Sequence, residues 1–466
     1  MRHLTWFAMT LVTGGMLSAC SQVTDIAQTE GTAAGTSSTL GGAGATVAGG
    51  ASGGGEGPSQ AGTAAIEELH SSLPPDEHPD ISDAEFASFV SSANRFGLEL
   101  AQAYSSLAQT GTANWVFSPN SAQVALAMTY AGAVGDAAEA MRNSLHDPFT
   151  AGRYHVASNR LLRELASRNY AGQDTAKNDV RVQLNHANSL WADRSLAVKT
   201  PFLDVLGQQY GSGLRRLDFT NQPDASRRTI NDWVAQKTYD KIIDLLAPDD
   251  ISSLTALVLV NALYFYGSWA ESFNPASTSN QTFHTLAGLD VTVPTMHSSF
   301  TISYKASSSY TVVQLPYVQG HVRLTLVVPL LGGFESVRSA VSEAFLTEAT
   351  TGLVPTSLNL ALPKFTIKTE QMKLNAALTQ IGMGRIFEPG GFTGITDTQI
   401  AVSSVVQKAF IGADEFGTEA AAATAVVMKR GGVAATAVNI DRPFLFFVQD
   451  ESGLVLFSGH VVDPSN

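Results

Sequence analysis

The run from Leu254 to Tyr266 is almost wholly apolar and rich in branched side chains, broken only by Thr255 and Asn261. It is too short for a membrane helix of about 20 residues and predicts a strand buried on both faces. A different period governs Ile81 to Leu107. There Phe86, Phe89, Val90, Phe96, Leu98 and Leu100 recur at helical spacing behind Ser82 or Asp83 as cap, which predicts a long helix opening the globular domain. A third pattern alternates. Read as a strand, Thr418 to Lys429 puts Thr418, Ala420, Ala422, Thr424, Val426 and Met428 on an uncharged face and Glu419, Ala421, Ala423, Ala425, Val427 and Lys429 on the other. Alanine also favours helix, so this run by itself leaves strand and helix open. From Gly31 to Ala65 the pattern disappears into Gly, Ala, Ser and Thr with one charge, Glu56, a composition that cannot bury enough apolar surface to order itself. Elsewhere helical and strand periods mix without regular alternation, the mark of an α+β chain.

Composition narrows the function. About 380 residues beyond the leader can bury a large core, and 44% hydrophobic with 15% charged residues suits a globular domain. A net charge of -13 argues against nucleic acid, whose phosphates require a basic surface. The single cysteine, Cys20, forbids an intrachain disulfide. No His-Glu-x-x-His, Cys-x-x-Cys or Walker phosphate loop is present, so the expectation is a protein that is no enzyme and carries no cofactor or metal.

The amino terminus reads as an address. Met1-Arg2-His3, the apolar Leu4 to Leu17 and the small-residue site Leu17-Ser18-Ala19-Cys20 form a secretory signal over residues 1–19 that also resembles a bacterial lipobox. In that reading Cys20 is lipidated, residues 20–80 are a flexible tether of roughly 40 Å span, and 81–466 are the domain. Ser21 in place of aspartate points to the outer membrane or cell surface, with release to the exterior as a further possibility. The plain alternative is a cleaved signal and a soluble protein with a free thiol.

Several ordered stretches together carry a family resemblance: Asn114-Trp115-Val116-Phe117-Ser118-Pro119-Asn120-Ser121, Asn231-Asp232-Trp233-Val234, Leu257 to Phe265 with Trp269, Gln314-Leu315-Pro316-Tyr317, Leu362-Pro363-Lys364-Phe365, Ser404 to Ala421, and Asp441 to Pro464. Over roughly residues 81 to 464 the chain resembles the serpins, the serine-protease inhibitor family. The resemblance implies three β-sheets, eight to nine helices and a reactive loop, between Glu415 and Asp441, that is exposed before cleavage. It implies a suicide-substrate inhibitor of serine endopeptidases, with cysteine endopeptidases as an extension, which traps the protease as an acyl-enzyme while the cut loop inserts into a sheet. Strand addition of this kind is a general recognition mode for which serpins are a standard example.

The same resemblance assigns roles. Glu415, Gly417, Thr418, Glu419, Ala420, Ala421, Ala422 and Ala423 match the hinge, with Thr418 the first side chain to turn inward once insertion begins. Ser118, Ser121 and Asn261 match a polar cluster called the shutter, where Gln407 replaces the family's histidine. Lys364 matches the partner of Glu415. Arg430-Gly431 is the preferred bait bond and points to a trypsin-like target, because arginine offers a charged fork to a buried carboxylate; Gly431-Gly432 and Met428-Lys429 are alternatives. A monomer is expected. The runner-up is a non-inhibitory carrier or scaffold of the same fold, and a third possibility is an unrelated adhesin or hydrolase.

Overall fold

The computed structural model describes residues 64–149, 152–418 and 435–466. The opening helix α1, Asp83–Ala108, begins where the periodicity placed it: the Ser82 hydroxyl accepts from the Glu85 amide, and the Glu85 carboxylate accepts from the Ser82 amide at 3.0 Å. This reciprocal cap satisfies two of the donors that a helix start leaves free. Helix α2, Pro119–Tyr130, crosses α1 closely at Gly97, where a β-carbon would lie 2.3 Å from that of Pro119.

One sheet system concerns function, and its strands in chain order are β1 (Glu67–Leu69), β2 (Tyr170–Gln173), β3 (Asp179–His186), β4 (Ser189–Asp193), β5 (Leu214–Leu217), β6 (Leu257–Asn261), β7 (Leu263–Ser268), β8 (Phe365–Lys368), β9 (Met372–Lys373), β10 (Val402–Gln407), β11 (Phe410–Ala413) and β12 (Gly417–Thr418). Hydrogen bonds order them as β1-β5-β4-β6-β10-β9 below, with β12-β7-β3-β2 and the pair β8-β11 above. The apolar run Leu254 to Tyr266 supplies β6 and β7, which break at Ala262 and are buried throughout.

A second sheet of nine strands packs against this system, and Leu259, Leu263 and Phe265 of the first join Leu324, Leu326 and Phe446 of the second in one core. The mixed α/β architecture with several sheets agrees with the fold that the resemblance implied, and within the nine-stranded sheet the seventeen-residue strand Asp290–Ala306 pairs with Ser279–His284, Val354–Pro363 and Tyr310–Pro316 in turn.

The tether also differs from its reading as coil up to residue 80. Its last part lies on the domain: β1 pairs with the edge of β5, the Ala64 amide donates to Thr229 at 2.8 Å, and Glu68 meets Arg215 at 2.8 Å. Further on, Ser71 donates to Asp204, and the Asp76 amide donates to the Gln208 carbonyl at 2.9 Å. Between Ile66 and Asp80 the sequence is richer in apolar and acidic residues than the Gly/Ala tract before it.

Three histidines sit where a charge is costly. Burial pushes His155, His186 and His460 each down to about 4, and both ring nitrogens of His186 lack a hydrogen-bond partner among the described residues. Because the unfolded chain holds these protons up to about pH 6.5, their neutral burial favours folding above that pH, and the advantage is lost as pH falls from about 6.5 towards 4. The thermal midpoint should therefore drop between pH 7 and pH 5, and His460→Gln should flatten that slope in a calorimetric series. An unchanged slope would assign the acid sensitivity to other groups.

Candidate functional site

The sheet is closed at its foot and parted at its head. β6 runs parallel to β10 with Asn261 opposite Gln407. Above that point β7 pairs with β3 and β11 with β8, and among the described residues no ladder joins β7 to β11. Into the mouth of this seam turns β12, antiparallel to β7, with Gly417 opposite Ser268 and Thr418 opposite Gly267. Only glycine fits at 417: a β-carbon there would stand 1.9 Å from the Gly267 carbonyl oxygen. A cleft of about 900 Å³ lies against both halves, lined by Gln183, Tyr264 and Tyr266 on one side and Phe365, Thr366 and Phe410 on the other.

Backbone and side chains seat the segment before β12. The Trp269 amide donates to the Phe416 carbonyl at 2.9 Å, its indole N–H to the Asp414 carbonyl at 2.9 Å, and the Phe273 amide to the Glu415 carbonyl at 2.8 Å. Asp414 closes the turn by accepting from the Phe416 amide at 2.8 Å and the Gly417 amide at 3.2 Å. Lys364 Nζ lies 2.8 Å from Glu415 Oε2 and the Thr278 hydroxyl donates to Oε1 at 2.7 Å. Burial raises the Glu415 pKa, but the bonds from Lys364 and Thr278 outweigh it and hold the carboxyl below its usual range. The Glu415 side chain is 8% exposed and its Lys364 partner 38%, so the carboxylate end of the pair is shielded from water while the ammonium remains partly in it.

Thr418 departs from expectation in a way that matters. The resemblance implied that it turns inward only after cleavage. In the intact chain it is already 1% exposed, and its hydroxyl lies 2.6 Å from that of Tyr317. Tyr317 is fully buried, stacked on Trp269 with ring centres 4.7 Å apart and edge-on to Phe265 at 4.9 Å. Burial raises the phenol pKa far above its usual range, and it stays neutral at physiological pH.

At the foot of the seam a buried polar hub joins both halves. The Gln407 amide group donates to the Ser118 carbonyl at 3.0 Å and to Asn261 Oδ1 at 2.7 Å, while Gln407 Oε1 accepts from the Ser118 amide at 3.0 Å. The Ser118 hydroxyl caps α2 and donates to the Leu456 carbonyl at 2.8 Å, and Ser121 donates to Asn188 Oδ1 at 2.8 Å. An amide can donate and accept together, which is why glutamine spans two strands and a helix start here; it does not titrate. Asn188 was not singled out from sequence, nor was any role for Tyr317, Trp269 or Thr278.

The comparisons decide what this architecture is. Residues 91–464 match the model of the family described as serpin (serine protease inhibitor). The chain is a serpin. It is 32% identical over 403 residues to a serpin-like protein of Thermococcus kodakarensis, covering 85% of this chain and 91% of the relative. It is also 31% identical to the leukocyte elastase inhibitor of Xenopus tropicalis, covering 76% and 94%. Among solved structures, Serpin48 of the insect Tenebrio molitor aligns with TM-score 0.70 and 29% identity over 82% of this chain and 99% of that one. The thermophilic serpin tengpin shares the fold, with TM-score 0.72 and 23% identity, over 85% and 97%.

In this serpin the structure gathers Glu415, Gly417, Thr418 and Lys364 at the head of the seam and Ser118, Ser121, Asn261 and Gln407 at its foot. Glu419, Ala420, Ala421, Ala422, Ala423, Arg430, Gly431 and Cys20 lie outside the described residues. Gln407→Ala should lower stability by about 2–4 kcal/mol, since it opens a cavity and strands the Ser118 amide and the Asn261 oxygen. Denaturant unfolding measures this, and a loss under 1 kcal/mol would mean the hub is dispensable.

Proposed function

We propose that this serpin is a suicide-substrate inhibitor of serine endopeptidases, with trypsin-like enzymes favoured and cysteine endopeptidases a possible extension. The observation that carries the reading is the parted sheet with the two-residue strand β12 already at the mouth of its seam. The protease serine attacks the carbonyl of the bait residue, read as Arg430, and the amine of Gly431 departs with a proton, leaving an acyl-enzyme on a freed strand. Continued in the register that sets Thr418 opposite Gly267, that strand would bring Met428 opposite Leu257, the first residue of β6. The uncharged face Ala420, Ala422, Thr424, Val426 and Met428 would then meet the core.

The energetics favour insertion once the loop is cut. The β6·β10 ladder must open, but two ladders replace one, so backbone groups along both facing edges find partners. Burial of Val426 and Met428 adds to this at about 25 cal/mol per Å² of apolar surface. The intact form is thus kinetically held, and hydrolysis of the acyl-enzyme competes with insertion. The protein would act as a monomer without cofactor. Cys20 would carry a lipid that places it on the outer membrane or cell surface, and Cys20→Ser should release it into the medium.

Incubation with a panel of proteases should give, with trypsin-like members, a complex that survives boiling in detergent. Arg430→Ala should cut its rate of formation at least tenfold, and mass analysis of the cleaved chain should place the cut after residue 430 rather than after Gly431 or Met428. Clean cleavage without adduct across the panel would favour a carrier or scaffold.

Thr418→Arg offers a second test. A guanidinium cannot occupy the site beside Tyr317 without a partner, so the variant should expel the hinge and still be cut, yet behave as substrate. Covalent complex at the wild-type stoichiometry would refute insertion through residue 418.

A further inference from the structure

We infer that Tyr317 is a positioning residue that holds the hinge of the intact serpin in register and fixes where insertion begins. The inference rests on the insertion reading above and adds the contact that starts it. Three observations carry it. The Tyr317 and Thr418 hydroxyls are 2.6 Å apart in a place where both residues are buried, and this is a hydrogen bond between groups 101 positions apart in the chain. The ring cannot swing away, because Trp269 stacks on one face and Phe265 meets it edge-on. A β-carbon at Gly267 would lie 2.6 Å from Tyr317 Cδ1, so the ring lies directly against the β7 backbone with which Thr418 pairs.

Register is the quantity at stake. Strand side chains alternate with a period of two, so a slip by one residue reverses every side chain of the entering segment. Here it would carry the Glu419 carboxylate into the enclosure of Tyr317 and turn the Ala420, Ala422, Val426 and Met428 face outward. The backbone bonds to Asp414, Glu415 and Phe416 and the tight fit of Gly417 against the Gly267 carbonyl seat the turn before residue 418, but none of them satisfies the buried phenol. The hydroxyl at 418 adds that side-chain selection: Glu419 in its place would accept from the phenol only by burying an uncompensated carboxylate, and Ala420, two steps on, offers no polar atom. The hinge is therefore held at the single residue whose side chain satisfies the buried phenol, and the strand that follows cleavage starts in the correct phase.

The test uses Tyr317→Phe and Thr418→Val, which keep ring and shape while removing one hydroxyl each, and their double variant. Two readouts apply to the full-length protein. Deuterium exchange of the 414–418 peptide in the uncleaved form reports hinge docking without any protease, and the ratio of cleaved to trapped serpin reports the outcome with one. Each single variant should raise hinge exchange and increase the cleaved-to-trapped ratio about five-fold, which corresponds to about 1 kcal/mol, one buried hydrogen bond. Cleavage rates should stay at wild type, and the double variant should match either single one. Wild-type exchange and partition in Tyr317→Phe would overturn the inference while leaving the inhibitor reading intact, as would fully additive effects in the double variant. A wild type that forms no covalent complex, with exchange still raised by Tyr317→Phe, would sink the inhibitor reading and retain Tyr317 as the catch of the hinge.

Discussion

A backbone that lies in a sheet must pair its amides and carbonyls on both sides or leave them to water, and in this serpin one seam defers that requirement. β7 and β11 face each other across the head of the sheet without a ladder, although β6 and β10 are joined just below. Everything else around the site manages that gap. Gly417 has no side chain because none fits beside the Gly267 carbonyl, Trp269 receives the backbone of the incoming turn, and Lys364 with Thr278 holds the Glu415 carboxylate. Burying a carboxylate is costly unless each oxygen is bonded, and here each has a partner.

The hub at the foot keeps the gap from running the length of the sheet. Gln407 ties β10 to Asn261 on β6 and to the start of α2 through three hydrogen bonds, all buried. The closed arrangement still has a cost, because Asn261 Nδ2 and Asn188 Nδ2 are buried without a partner among the described residues. The same cluster that locks the two strands together thus leaves two buried donors unsatisfied at the foot of the seam.

How much of this could be read from the chain alone depended on whether a signal was local. The capping box of Ser82 and Glu85 and the apolar run forming β6 and β7 were legible because each is written in consecutive residues. The run from Thr418 to Met428 left strand and helix open by itself, since alanine serves both, and beyond Thr418 it lies outside the described residues. The docked state of Thr418 was not legible at all. It depends on Tyr317 and on Gly267, residues far away in sequence, and nothing near 418 records their presence. The strand β1 escaped notice for a related reason: three residues at the end of a Gly/Ala tract carry too little periodicity to register against their partner β5.

That short strand has a further consequence for how the molecule behaves in company. The rims of this sheet system are β1, β2, β8 and β9, of three, four, four and two residues. β1 moreover holds Glu67 and Glu68 in ion pairs with Arg216 and Arg215. Short, charged rims give a foreign chain little to extend. The sheet system is in this way unattractive to a second chain at every border except the parted seam in its interior, so self-association through its outer edges is discouraged even at high protein concentration.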